Sequence, residues 1–328
     1  MANRIALIGG ETLLGREVRE VFSESSLGGE LRLIAADEEE TGKLVALDGA
    51  AAFLSKLDPG SLEDAEILVL CGSPKSSREA LAANPSAFVV DLTYLIDEDP
   101  DARLRAPQAE GLDYQPDHSG PQIVAHPAAV AIALVLDRLS KIAPLSQAVI
   151  NVYEPSSERG KAGIEELQQQ TVSLLAFKEM PKKVFDAQLA FAMLPQFGEE
   201  AQTRLNEIEE RIERHLATLL DRMEGIPMPS LRLTQSPVFH GYSFSLWIEF
   251  EDAPPVPDLE DALAGDHIDV RGADLEPPTN VSVAGQGGIA IGAITPDRNN
   301  GNAVWLWMAA DNFRLPAETA AMIVQEYI

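Results

Sequence analysis

The sequence predicts an α/β protein: an N-terminal Rossmann-type, dinucleotide-binding domain followed by a mixed α+β C-terminal domain. Three observations carry this expectation. Arg4–Gly9 (RIALIG) reads as a buried strand, runs into a glycine-bearing turn, Gly9–Gly15, and then into Arg16–Glu24, where Val18, Val21 and Phe22 recur at helical spacing. Strand-like and helix-like segments keep alternating to about residue 125, which argues for a parallel sheet with right-handed crossovers. Beyond that point strands cluster apart from helices, as in a mixed α+β domain. A length of 328 residues is enough for two such cores.

Taken in order, Leu31–Ala36 is a second apolar run ending at Asp37, and Glu66–Cys71 (EILVLC) a third, closed by the Gly72-Ser73-Pro74 turn. Ser76–Ala83 reads as a helix and Ala87–Leu92 as a strand. Gln122–Ala125 is a short strand, and Pro127 suits the first turn of a helix over Ala128–Leu139. Gln147–Tyr153 is a strand, and Gly160–Leu175 and Gln202–Met223 are long helices. In the second of these Leu205, Ile208, Ile212, Leu216 and Leu219 form the apolar face. Leu231–Val238 and Tyr242–Phe250 alternate as antiparallel strands, Asp252–Pro257 is a proline-rich turn, Val304–Ala309 a late strand and Ala317–Ile328 a terminal helix.

Composition narrows the function classes. Hydrophobic residues make up 45% and charged residues 23%, as in soluble globular chains. No apolar run approaches the length of a membrane span, and the first ten residues do not read as a secretory signal, so a cytoplasmic protein is expected. The net charge of −27 repels nucleic acid and anionic lipid. The single cysteine, Cys71, can form neither an internal disulfide nor a cysteine-based zinc site, and it reads as a small hydrophobe. The five histidines show neither an i,i+4 pair nor a Cys/His cluster, so no metal site is expected.

The turn Gly9-Gly10-Glu11-Thr12-Leu13-Leu14-Gly15 has the context of a pyrophosphate turn, in which amides at a helix N-terminus meet the phosphate. Thr12 stands where a central glycine would let the backbone approach, and Glu11 adds a carboxylate beside the expected anion. A tight connection that binds nothing fits these residues as well. The acidic run from Asp37 to Glu40 follows the second strand, where a ribose is read; a carboxylate there can bond a 2′-hydroxyl but repels a 2′-phosphate, so NAD is favoured over NADP if a dinucleotide binds.

The order of segments VVDLTYLI, IVAHPAAVAIAL, VINVYEPSSERGKAGIEEL, SPVFHGYSFSLWIEF and AADNFRLPAE, after the N-terminal glycine turn, resembles the aspartate-semialdehyde dehydrogenase family nearly end to end. The resemblance implies a dinucleotide-binding-like domain over residues 1–125, a dimerisation and substrate-like domain over 126–314, and a terminal helix, 315–328, packed back on the first. It implies cofactor contacts at Gly9, Thr12, Gly15, Asp37, Gly72 and Asn312, and a homodimer built through the sheet around Gln147–Tyr153 and Leu231–Phe250. Family enzymes reduce an acyl phosphate with NADPH, or run the reverse, through a cysteine thioester and a histidine.

Carried over residue by residue, that chemistry is missing. Ala129 stands in the place of the cysteine nucleophile, Glu154 in that of the orienting glutamine, Gln235 in that of the carboxylate-binding arginine and Tyr242 in that of the histidine; Asp97 aligns approximately with a phosphate-binding arginine. Arg204, Glu207 and Glu209 are candidates for a further charged pair of the family. Tyrosine is a poor base at neutral pH, and glutamine cannot pair a carboxylate by charge. The expectation is a catalytically silent family member with a binding or regulatory role and an unknown small-molecule ligand. The alternative is an NAD(P)-dependent oxidoreductase acting on an aldehyde or oxo group in aspartate-family amino-acid biosynthesis, or in a related reaction without covalent catalysis, with Tyr242 or Glu154 handling the proton. His240, Tyr242 and Glu154 read either as a repurposed pocket or as a buried hydrogen-bond network. Ser156 and Ser157, with no nucleophile elbow around them, read as loop residues, and Trp305 and Trp307 as packing residues.

Overall fold

In the computed structural model, residues 3–25, 27, 29–36, 41–47, 50–111 and 114–328 are described. The chain divides into two compact units, residues 1–125 with 316–328, and residues 126–315.

The first unit runs β1 (Asn3–Ile8), α1 (Leu13–Glu24), β2 (Gly29–Ile34), β3 (Leu44–Leu47), β4 (Ala50–Phe53), α2 (Pro59–Leu62), β5 (Ile67–Leu70), α3 (Pro74–Ala83), β6 (Phe88–Asp91), β7 (Arg103–Arg105) and β8 (Gln122–Val124). Its six-stranded sheet has the order β2-β1-β5-β6-β8-β7, and every pair in it is parallel. β5 and β6 are buried at every position, as expected of strands covered on both faces. Successive side chains point to opposite faces. Leu7, Val69 and Val90 therefore join Val18, Phe22, Ile323 and Val324 in one core, while Ile8, Leu68 and Leu70 join Ile34 and Ala80 in the other. Cys71 lies in the first of these cores, and burial pushes its thiol well above the usual range. Arg105, fully buried on edge strand β7, donates to Glu110 and, at 2.6 Å, to Glu326, so a charge pair holds the end of the chain against the sheet.

The second unit runs α4 (Pro127–Ser140), β9 (Leu145–Glu154), α5 (Gly160–Leu175), α6 (Leu205–Leu220), β10 (Ser230–Gln235), β11 (Tyr242–Phe250), α7 (Val256–Leu263), β12 (Ile268–Arg271), β13 (Ile289–Pro296) and β14 (Ala303–Ala310), before α8 (Arg314–Tyr327) leads back to the first unit. Its sheet has the order β10-β9-β11-β14-β13-β12. The expected antiparallel pairing of Leu231–Val238 with Tyr242–Phe250 is not found. β10 pairs in parallel with β9, Gln235 opposite Glu154, and β9 separates it from β11. The helices α5 and α6 supply the crossover that a parallel pair needs. The proline-rich stretch at Asp252–Pro257 leads into α7, whose first residues are Val256 and Pro257, where a missing N–H is tolerated.

Along β11 the residues Tyr242, Phe244, Leu246, Ile248 and Phe250 are buried and the intervening ones half-buried. On the more open face of the same sheet, Trp247 and Trp305 both donate to one oxygen of Asp297, at 3.1 and 2.7 Å. Trp307 stacks on Tyr153 with ring centroids 6.0 Å apart.

Where β1 and β5 diverge, the strand order of the parallel sheet reverses. Gly9 has φ +84°, and a Cβ placed there would lie 2.6 Å from the Gly72 Cα; one placed on Gly15 would lie 2.1 Å from the Gly9 carbonyl oxygen. Close backbone contact therefore demands these glycines. Replacement Gly15→Ala is expected to lower stability by about 1–3 kcal/mol through overpacking, measured by urea unfolding; an unchanged midpoint would show that the turn can open at no cost.

Candidate functional site

Two places gather the residues singled out in the sequence. The first is the glycine turn. Thr12 caps α1: its hydroxyl accepts from the Gly15 amide at 2.9 Å and lies 2.9 Å from the carbonyl oxygens of Gly9 and Cys71. A threonine here closes the turn and ties it to the end of β5. Glu11 behaves differently from expectation. Its carboxylate pairs with Arg16 at 2.7 Å and Arg19 at 2.8 Å, so its charge is neutralised within the turn. The expected repulsion of an anion by Glu11 is thereby weakened. Gly9, Thr12, Gly15 and Gly72 come together, and the Thr12 and Gly15 amides are taken up within the turn, by the Gly9 carbonyl oxygen at 3.0 Å and the Thr12 hydroxyl at 2.9 Å. Asp37 and the acidic residues after it lie outside the described residues. A cavity of about 90 Å³ beside the end of β2 is lined by Ala35, Ala36, Thr41, Leu57, Glu79 and the two cations Lys56 and Lys75.

The second place is the shared end of β10, β9 and β11. Glu154 ends β9 and is fully buried. Gln235, also fully buried, ends β10 and donates through Nε2 to the Glu154 carbonyl oxygen at 2.8 Å. Arg159 reaches the Glu154 carboxylate at 3.1 Å. Glu154 Oε2, Gln235 Oε1 and Arg159 Nε are buried without a protein hydrogen-bond partner among the described residues. Burial raises the Glu154 carboxyl to about 7; the Arg159 charge opposes this, neighbouring Glu158 reinforces it, and hydrogen bonding from Arg159 and Tyr242 favours the charged form.

Tyr242 is fully buried at the start of β11, with its ring edge-on to His126 at 6.0 Å. His126 caps α4: its Nδ1 accepts from the Ala128 amide at 3.2 Å, and its own amide donates to His215 Nδ1 at 2.9 Å. Burial first, and then the charges of His215, Arg211 and Arg159, hold His126 well below the usual imidazole range, so it is neutral. Ala129, fully buried, occupies the first turn of this helix. The cluster contains no thiol, and the methyl group of Ala129 has no electron pair to donate.

The remaining expected residues are dispersed. Asp97 lies in the turn after β6 of the first unit. Asn312 lies in the second unit, where Gly241 N donates to its Oδ1 at 3.0 Å and its Nδ2 donates to Glu158 at 2.9 Å. Arg204 and Glu207 are exposed; Glu209 accepts from the Leu233 amide at 2.6 Å and pins α6 to β10. Ser156 and Ser157, expected in a loop, are buried in a 3-10 turn, Ser156–Arg159. Sequence reading missed the charged pair Glu158–Arg159, although both follow Glu154 within five residues, and it missed the carboxylate of Asp311 as the partner of His240. It also missed Glu166 and Gln170, which accept the backbone amides of Lys183, Val184, Phe185, Leu189 and Ala190 and so anchor the irregular chain beyond α5. Among the described residues no group of three or more His, Cys, Asp or Glu is placed to hold a metal ion, and no helix is long and apolar enough to cross a membrane.

A parallel sheet with a glycine turn at its switch point, followed by a helix-backed mixed sheet, defines a Rossmann-like α/β protein with a second α+β domain. The chain belongs to the semialdehyde dehydrogenase family: residues 136–315 match the family's model for the semialdehyde dehydrogenase dimerisation domain. It is 27% identical over 329 residues to an aspartate-semialdehyde dehydrogenase of Rickettsia bellii, covering 98% of this chain and 96% of that one. Among solved structures, a probable aspartate-semialdehyde dehydrogenase of Pseudomonas aeruginosa shares the fold with a TM-score of 0.85 at 24% identity, covering 100% of this chain and 98% of that one. Aspartate semialdehyde dehydrogenase II of Vibrio cholerae does so with a TM-score of 0.84 at 22% identity, covering 99% and 98%.

The Glu154 environment sets a pH dependence. The carboxyl titrates near 7 when folded, against an ordinary value of 4.5. Between those values the native state holds the extra proton, so stability falls as pH rises through the window. From pH 5 to pH 8 the stability of the protein relative to its Glu154→Gln variant should drop by roughly 2.5 kcal/mol. Paired urea titrations at the two pH values check this, and a constant difference would mean the carboxyl is not held out of water.

Proposed function

We propose that this family member does not carry out acyl transfer through a thioester, and that it acts instead by binding a ligand or a partner, as a homodimer. One observation supports the reading most: the first turn of α4 presents the Ala129 methyl group where the family resemblance calls for a thiol. The rest of the expected set is altered in the same sense. Glu154 is committed to Arg159, Gln235 to the backbone of Glu154 and Ser236, and Tyr242 is fully buried against the His126 ring. Losing a nucleophile removes the covalent route entirely, whereas losing a positioning group only slows it.

For the dinucleotide, Gly9, Thr12, Gly15 and Gly72 would hold a pyrophosphate, with Asp37 favouring NAD over NADP. Such a cofactor supplies or accepts a hydride when bound. A hydride step without a covalent intermediate is the second reading, favoured by the backbone geometry of the glycine turn and by a carboxyl at Glu154 poised near neutral pH. The dimer would use the sheet face that carries Tyr153, Trp247, Trp305 and Trp307.

The test is an assay of the purified chain with aspartate semialdehyde, phosphate and NADP or NAD. No nucleotide reduction above the protein-free blank is expected, and Ala129→Cys alone should not restore it, since Glu154, Gln235 and Tyr242 remain. Phosphate-dependent turnover by the unaltered chain would overturn the proposal. Steady reduction of NAD without phosphate would favour the second reading. Light scattering should report twice the 35.4 kDa chain mass.

A further inference from the structure

Ahead of β11, three side chains from different segments form a hydrogen-bonded chain. Ser157 Oγ lies 3.3 Å from His240 Nδ1, and His240 Nε2 lies 2.8 Å from Asp311 Oδ2. Asp311 follows β14 and is almost wholly buried; Phe313 and Arg314 donate their amides to its Oδ1, and Gly285 donates to its Oδ2 at 2.7 Å. Burial acts to raise its carboxyl, but the His240 hydrogen bond and charge and these amides hold it below the usual range. Asp311 is therefore an anion that orients the His240 ring. The carboxylate at Nε2 requires a proton there, so in the neutral form of His240 it is Nδ1 that accepts from Ser157. The Asn312 amide meets the serine from the other side: its Nδ2 lies 3.1 Å from Ser157 Oγ and its Oδ1, at 3.2 Å, is a second acceptor for the hydroxyl proton beside His240 Nδ1, so the serine must turn its proton from Asn312 to His240 to react; the Gly241 amide and Glu158 fix the orientation of the Asn312 group.

We propose that Ser157, His240 and Asp311 form an acyl-transfer site, distinct from the thioester chemistry of the family, that hydrolyses esters of short, uncharged acyl groups. Ser157 Oγ attacks the ester carbonyl carbon as its proton passes to His240 Nδ1. The bond to the alkoxy oxygen breaks, that oxygen takes the proton from His240, and an acyl-serine remains. Water then attacks the acyl carbon, gives its proton through His240 back to Ser157 Oγ, and releases the carboxylic acid. The Asn312 Nδ2 hydrogen that lies on Ser157 Oγ in the resting site is the donor that would turn to the developing oxyanion, the other staying on Glu158. Asp311 acts through the ring and is a positioning residue.

The size limit follows from burial. Ser157, Asp311 and Asn312 have almost no exposed surface, whereas the His240 side chain is 31% exposed, so an acyl group must enter past the imidazole. The carboxylates of Glu158 and Asp311 beside the site disfavour an anionic acyl group. This inference does not depend on whether the chain lacks dehydrogenase activity.

The test uses the full chain and 4-nitrophenyl acetate. Release of 4-nitrophenolate is expected, with an acetyl group on the peptide that contains Ser157 when the reaction is quenched. Ser157→Ala should lower the protein-dependent rate by roughly 100-fold or more, and His240→Gln should do the same. Ser157→Cys should retain a covalent adduct, and Ser156→Ala should change nothing. Asp311→Asn should lower the maximal rate with KM unchanged, which loss of packing alone would not produce. Acetylation confined to lysines, or a rate unaltered in Ser157→Ala, would overturn the proposal. If Ser157→Ala does not fold, the mass of the unaltered chain and of Ser157→Cys decides the question.

Discussion

The burial of Glu154 at the end of β9 organises the second unit's candidate site. An ionised carboxylate removed from water is tolerated only when it is paired or protonated. Arg159, from the turn that follows, supplies the pairing, and a carboxyl raised to about 7 supplies the protonation. The neighbouring choices follow from that one constraint. Gln235 satisfies the backbone at the adjacent strand end without adding a second charge. Tyr242 fills the space between the carboxylate and His126 with a largely apolar ring, and His126, enclosed between cations and a second imidazole, stays neutral.

That arrangement is chemically different from a covalent acyl-transfer site. A thiolate needs nearby positive charge and a helix N-terminus directed at it. Here the helix start is occupied by the His126 cap and by Ala129, and the nearby cation is committed to a carboxylate.

The fold was legible because it rests on periodic apolar segments. The bounds of α5 and β11 follow directly from their sequence patterns, and the parallel order of the first sheet follows from continuous apolar runs such as Ile67–Leu70. Elements whose pattern is short or interrupted escaped: the β3–β4 hairpin, the three residues of β7, and β12 and β13, whose glycines and prolines read as loop. The pairing of β10 with β9 was misjudged because sequence adjacency suggests a hairpin, whereas the partner of β10 lies beyond two helices. At the site, a residue's identity could be read but its partner could not. That Ala129 carries only a methyl group is read from the sequence with no knowledge of its neighbours. Glu11 reads from the sequence as an anion beside the turn, and its pairing with Arg16 and Arg19, one and two helical turns further on, is visible only in the fold. The link from Ser157 through His240 to Asp311 joins positions far apart in the chain and leaves no local motif.

The central claim is that Glu154 sits in a closed, charge-paired interior and not in an open reaction pocket. Titration of the glutamate side-chain carboxyl carbons by NMR, with Glu154 assigned by comparison with Glu154→Gln, tests it most directly. The account predicts one carboxyl titrating near pH 7 that disappears in the variant. A Glu154 that titrates with the exposed glutamates, near the ordinary value of 4.5, would contradict it.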